Sequence, residues 1–223
     1  MTQAQSKTHD TMRHYSTIDL LLGHLDQAVR TVFGGPPTAR RANPAAAHSE
    51  ADLDAEQRTL AARLMRVNHA GEIAAQGLYQ GQALTARLDD VRDRMEQAAD
   101  EENDHLAWCA GRIKELDSHT SRLDPLWYLG AVSIGALAGI AGDKWSLGFV
   151  AETERQVVKH LNEHLERLSP EDARSRAILE QMRIDEAGHA TVAIEAGGAR
   201  LPEPIKRVMG LASKVMTQVA FWI

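Results

Sequence analysis

Glu102-Asn103-Asp104-His105 places a carboxylate and an imidazole three residues apart, and Glu186-Ala187-Gly188-His189 repeats the arrangement. In a helix, residues three apart share a face, so each pair can point both side chains at one spot. Upstream of the first pair stands Glu72, with 29 residues between it and Glu102; upstream of the second stands Glu154, with 31 residues between it and Glu186. A gap of that size is the rest of one helix, a turn and part of an antiparallel partner. Two such units predict an all-α chain built on a four-helix bundle, each helix bringing its ligand-type side chains to a common level.

Composition agrees. Among the 223 residues only 4% are aromatic, while Ala, Leu, Glu and Arg are plentiful, which favours helices over a β-sandwich. A hydrophobic share of 43% is enough for a core, and a net charge of −6 argues against nucleic acid as a partner. Cys109 is the only cysteine, so no intrachain disulfide forms. Met1–Tyr15 is polar without the apolar core of a signal peptide, which predicts a chain that stays in the cytoplasm or reaches membranes from that side. There is no Gly-x-Gly-x-x-Gly or Walker sequence, so any reductant comes from outside the chain.

Along the chain, residues 1–15 read as disordered and 16–33 as an amphipathic helix capped by Ser16 or Thr17, able to pack on the bundle or lie on a membrane. Gly34-Gly35-Pro36-Pro37 stops it, and residues 34–51 read as a linker ahead of the bundle at 52–223. The first core helix is expected over about 54–86 with the stripe Leu60, Leu64, Val67, Gly71, Ala74 and Leu78. Glu72 lies beside that stripe, with Met65 and Tyr79, and periodicity leaves open that it is an ordinary exposed glutamate. The second starts near Asp89, capped by Asp89 or Asp90, and its stripe from Val91 to Leu116 contains Glu102 and His105. Cys109 reads as a small buried hydrophobe.

Pro125–Gly142 carries no charge, with Asp124 as its expected cap, and Ala131, Gly135 and Gly139 at four-residue spacing allow another helix to approach closely. The next helix, about 144–168, centres its stripe on Glu154 and turns Glu152 outward as the solvated glutamate; His160 and His164 fall off the stripe, at the surface or behind the ligands. Ser169 is the expected cap of the last core helix, with Pro170 at its first position. Glu186 lies inside its stripe, His189 at the edge, and Asp185 beside them could orient an imidazole. A final amphipathic helix, 205–223, sets Ile205, Val208, Val215 and Val219 opposite Lys206, Arg207 and Lys214.

A bare buried carboxylate is costly unless something pairs with it. A metal ion does this well; the competing arrangement is a Glu–His hydrogen bond within a core. Four glutamates and two histidines form a hard oxygen/nitrogen set suited to iron or manganese, and four carboxylates balance two divalent ions. Two adjacent reduced irons with open positions can reduce O₂, and the same set could serve an iron store.

Arg66-Val67-Asn68-His69-Ala70-Gly71-Glu72 with Tyr79-Gln80-Gly81-Gln82 resembles the first-helix signature of the demethoxyubiquinone hydroxylases, a ubiquinone-biosynthetic branch of the ferritin-like di-iron proteins. Glu102-Asn103-Asp104-His105-Leu106, Pro125-Leu126-Trp127 with the Gly/Ala run behind it, Glu154, and Asp185-Glu186 with His189 are similar to the rest of that pattern, from about Leu60 to the C-terminus. The resemblance implies a ferritin-like four-helix bundle holding two Fe ions, with O₂ as co-substrate and an external reductant. It implies hydroxylation of the ring of a polyprenylated demethoxyquinol. Glu72, Glu102 and His105 would bind chiefly one iron and Glu154, Glu186 and His189 the other. Tyr79 is a candidate relay for an electron or proton beside the metals, or a core tyrosine. Other ubiquinone-biosynthesis proteins are possible partners.

Two rival readings are a ferritin- or rubrerythrin-like iron handler and a non-enzymatic membrane-associated scaffold. The first needs no greasy entry path, and the second leaves the stripe-centred glutamates unpartnered. The run from Pro125 to Gly142 is near the ~18-residue length of a membrane span. A single crossing would strand the two halves of the ligand set on opposite sides, so the expectation is a peripheral seat on the cytoplasmic face of the cell membrane, with the C-terminal basic helix on anionic lipid.

Overall fold

The structure, a computed structural model, describes residues 17–35 and 37–223. The polar N-terminus and Ser16 lie outside the described residues. Seven helices follow in order: α1 (Thr17–Phe33), α2 (Ala55–Thr85), α3 (Asp89–Glu115), α4 (Asp124–Ala141), α5 (Asp143–Arg167), α6 (Ala173–Glu195) and α7 (Glu203–Trp222), with a 3-10 turn at Pro44–Ala47. No strand occurs among the described residues.

Local chemistry sets the helix starts, in places by residues other than those expected. Asp54 accepts from the backbone N–H groups of Glu56 and Gln57, and the Gln57 side chain accepts from the Asp54 N–H, a complete capping box for α2. Neither Asp89 nor Asp90 caps α3. They fill its first turn behind Leu88, where acidic side chains suit the positive helix end, and the Asp143 carboxylate takes the N–H groups of Arg87 and Leu88, at 3.0 Å each. Asp124 is the first residue of α4 rather than its cap. The cap of α6 is Asp172, not Ser169: its carboxylate accepts from Ser175 N at 3.0 Å and from Arg112 Nη2 at 2.9 Å. The guanidinium of Arg112 fixes Asp172 from α3, and Ser169-Pro170 remain in the preceding turn.

α2, α3, α5 and α6 form the bundle. Leu64, Met65, Trp108, Cys109, Ile113, Leu161, Ile178, Leu179 and Met182 make one apolar cluster. Tyr79, Ala83, Val91, Met95, Leu147, Val150, Ala151 and Ala193 make a second. Along each bundle helix the ligand-type residues Glu72, Glu102, His105, Glu154, Glu186 and His189 fall between these two sets. Cys109 is fully buried, as expected.

α2 departs from the one-stripe expectation. It touches α1, α3, α4, α5 and α7 and is buried on nearly every side, while Gly71 and Ala74 of the expected stripe are only half-buried. α4 lies along α2 at backbone contact: a Cβ on Gly81 would fall on the Val132 carbonyl oxygen, and one on Gly135 on that of Leu78. α4 is long and apolar enough to cross a membrane, and 22% of it is buried. Leu126, Leu129, Leu137 and Ile140 on α4 face outward, as do Val208, Leu211 and Val215 on α7 and Leu25, Val29 and Phe33 on α1. α1 packs on both α2 and α4, and α7 packs on α2 and α5, its Ala220 and Phe221 lying by Trp127 at the start of α4.

Candidate metal centre

The structure brings four of the six expected side chains into one group, with His189 against two of them and Glu154 buried beside Tyr79. Glu72, Glu102, His105 and Glu186 are buried, with one ligand atom from each lying within 4.8 Å of all the others. His105 Nδ1 faces Glu102 Oε2 at 2.9 Å, Glu186 Oε1 at 3.0 Å and Glu72 Oε2 at 3.7 Å. His189 Nδ1 faces Glu186 Oε2 at 3.1 Å and Glu102 Oε1 at 3.3 Å. Glu102 and Glu186 therefore lie between the two imidazoles, each touching both. Glu154, equally buried, receives the Tyr79 hydroxyl as donor. Glu72 is 3% exposed, so its place beside the stripe did not leave it in solvent: α2 has no free side at this level.

The outer nitrogens show a crossed symmetry. His105 Nε2 lies 3.0 Å from Asp185 Oδ2, and His189 Nε2 lies 2.9 Å from Glu101 Oε2. Each of these acids directly precedes the glutamate of one Glu-x-x-His pair and holds the imidazole of the other. Asp185 was expected to orient an imidazole; Glu101 was not singled out, although an acidic residue one position before each pair was a readable signal. Asp104 was also missed, and nothing in the periodicity distinguishes it. Glu152 is not simply solvated: its carboxylate is 13% exposed and lies 3.9 Å from Lys206 of α7. His164 is buried, with Nδ1 donating to Asn68 Oδ1 at 2.8 Å.

Carboxylates crowd this layer, and burial acts against their charged forms. Burial, then the Glu102 charge, pushes the Glu72 carboxyl well above its usual range; burial with the charges of Glu186 and Glu102 does the same to Glu154. Glu102 is opposed by burial but held below the usual range by His105 and His189. Burial lowers His189, yet its hydrogen bonds to Glu102 and Glu186 carry it up to about 12. Burial, with the Glu154 charge next, keeps the Tyr79 phenol protonated far above its ordinary range. One buried oxygen, Glu102 Oε1, has no hydrogen-bond donor in proper geometry despite the 3.3 Å approach of His189. Repelling carboxylates, an orphaned acceptor between two imidazoles, and outward-facing nitrogens already matched to acids fit bound cations: both Nδ1 atoms are free to serve as ligands once their protons are displaced. The buried group could hold metal.

An all-helical bundle around a buried layer of carboxylates and imidazoles defines a class, the ferritin-like metal-carboxylate bundles. Within that class, residues 59–220 match the family profile described as "Ubiquinone biosynthesis protein COQ7", and the chain belongs to this family. It is 63% identical over 211 residues to the 3-demethoxyubiquinol 3-hydroxylase of Nitrosococcus oceani, covering 95% of this chain and 99% of the relative. Proteins of the same name from Acinetobacter baumannii (56% over 212 residues, 95% of this chain and all of the relative) and Pseudomonas putida (57% over 215 residues, 96% and 99%) are similar over the same extent.

Proposed function

We propose that this chain is a 3-demethoxyubiquinol 3-hydroxylase of ubiquinone biosynthesis. It uses two iron ions held by Glu72, Glu102, His105, Glu154, Glu186 and His189, takes O₂ as co-substrate and draws electrons from an external reductant. The observation that carries this reading is the buried layer in which Glu102 and Glu186 each face both imidazoles. Bound iron would supply O₂ activation and the electrophile that attacks an electron-rich ring. The chain's own part is to set the ligands. Asp185 and Glu101 accept from the outer imidazole nitrogens and leave both Nδ1 atoms facing inward. Tyr79 donates to Glu154 from a position with no exposed surface, and its protonated phenol can orient that carboxylate.

The same proposal places the protein peripherally on the cytoplasmic face of the cell membrane, with the exposed apolar faces of α1, α4 and α7 in lipid, where a polyprenyl quinol is dissolved. α4 then lies along the surface rather than across it, because it is bound to α2 along its length.

The test is anaerobic loading with ferrous iron, followed by ¹⁸O₂ and a short-chain demethoxyquinol, with mass analysis of the products. A ring-hydroxylated product carrying one ¹⁸O supports the reading. Iron oxidation without any ring product would favour iron storage instead.

A further inference from the structure

The stretch between α1 and α2, which reads as a linker, is docked against the bundle. Residues 37–53 lie across the seam between α3 and α6. At one end Glu50 meets Arg112 of α3 at 2.5 and 3.0 Å and Arg174 of α6 at 3.3 Å, and Arg174 also donates to the His48 carbonyl. In the middle, Ala45 is fully buried in the apolar cluster. At the other end Arg41 sits behind His105. Its Nε donates to Asp104 Oδ2 at 2.7 Å, Nη1 pairs with Asp185 Oδ2 at 2.8 Å, and Nη2 lies 3.4 Å from His105 Nε2. The guanidinium lies 4.8 Å over the Trp108 ring, which itself packs on His105. Asp104 also accepts the backbone N–H groups of Arg40 and Arg41.

The other half of the centre has no such brace. Glu101, behind His189, bonds Gln97 and is 45% exposed, and beside it a cavity of about 150 Å³ reaches Tyr79 and His189. His105 is 0% exposed and His189 16%.

We propose that Arg41 is a positioning residue for the metal centre: by holding Asp185 and Asp104 it fixes His105 and makes the His105 side the tighter of two unequal metal positions. The inference rests on the metal reading above. For Nδ1 of His105 to bind an ion, its proton must sit on Nε2, and the acceptor there must stay in place. Asp185 is that acceptor. Arg41 ties it to Asp104, a buried carboxylate already anchored by two backbone N–H groups, so the acceptor loses its rotational freedom. A planar fork spans two carboxylates and stacks on an indole; a lysine ammonium cannot do both. On the His189 side the equivalent acceptor is half-exposed and held otherwise only by Gln97.

The test titrates the metal-free full-length protein with Co(II) under anaerobic conditions, following visible ligand-field absorption. Wild type, Arg41→Ala, Arg41→Lys and Arg40→Ala are compared, with circular dichroism as the check on folding. Wild type should bind in two steps. Arg41→Ala should lose roughly 10-fold or more in the tighter step, with the weaker step unchanged within about 2-fold, so that the steps converge; Arg41→Lys should fall between. Arg40→Ala, which removes only an exposed pair with Asp100 at 3.1 Å, should titrate as wild type. Both steps weakening equally in Arg41→Ala, or an equal loss in Arg40→Ala, would overturn the inference, since either means the strap merely holds the bundle together. Two wild-type steps with no change in Arg41→Ala overturn it alone. A wild-type chain that takes up no Co(II) overturns the metal reading and this inference with it.

Discussion

Glu154 was readable because it sits at the centre of an apolar stripe, and Leu147, Val150, Leu161, Leu165 and Leu168 of that stripe are buried. Glu72 was not, because α2 is enclosed on all sides and periodicity reports only a boundary between wet and dry faces. Both belong to a layer that repels itself without cations, and this has a measurable consequence. In chelator-treated protein, Glu154→Gln should raise the unfolding temperature by a few degrees, on the order of 1 kcal/mol, since it replaces a buried carboxyl whose charged form is opposed by burial and its neighbours, and keeps an acceptor for Tyr79. The same variant should fail to bind a full metal complement, measured by elemental analysis. A destabilised metal-free variant would show that the carboxylate repulsion is already relieved within the protein. His164 carries a second prediction. Burial, with His160 and Arg167 nearby, brings it down to about 3, so the folded chain keeps it neutral. Below its ordinary value near 6.5 the unfolded chain takes up a proton that the folded chain refuses, so stability falls as pH drops and is fully present above that point. Between pH 7 and 5.5 the loss from this group is about 1 kcal/mol. His164→Gln should unfold with a correspondingly shallower dependence over that range, by denaturant titration at each pH.

The helices themselves were legible from their apolar spacing, but the residues that start them were not. The caps of α3 and α6 are decided by groups distant in sequence, Asp143 for one and Arg112 for the other, and a local reading of Asp89 or Ser169 has no access to them. The small-residue spacing of α4 did announce a close partner, and α2 is that partner. Gly135→Val should cost about 1–3 kcal/mol, or more if the helices separate, because the new side chain meets the Leu78 carbonyl and not a flexible side chain. Gly130→Val, at a position with nothing within 4 Å of an added Cβ, should cost far less. Equal changes at the two positions would mean that the α2–α4 contact is loose enough to admit the new side chain.

At the scale of the whole molecule, the proposed membrane seat requires both halves of the bundle to share one compartment. Single cysteines at Asp90 and Glu171, both exposed, in a Cys109→Ser background should resist a membrane-impermeant maleimide in intact spheroplasts and react after lysis. Glu171 is preferable to Asp172, whose carboxylate is buried as a helix cap. Labelling of one position only from outside would place α4 across the bilayer. The bundle, its glutamates and the outward apolar faces could be anticipated from the chain. The strap at 37–53 could not: its composition is that of a tether, and its order comes from Asp104, Arg112, Arg174 and Asp185, none of them near it in sequence.

That strap also fixes a sequence of events at the ribosome. It leaves the exit tunnel before every side chain that holds it, and its bond from Arg174 to His48 closes over 126 residues. Until α6 emerges, Arg41 and Glu50 have only half their partners, and the α5–α6 half of the centre does not exist. The nascent chain must carry this segment undocked through most of its synthesis. Loading of the proposed metal centre would then be an event of the finished polypeptide, with the strap closing over α3 and α6 after they meet.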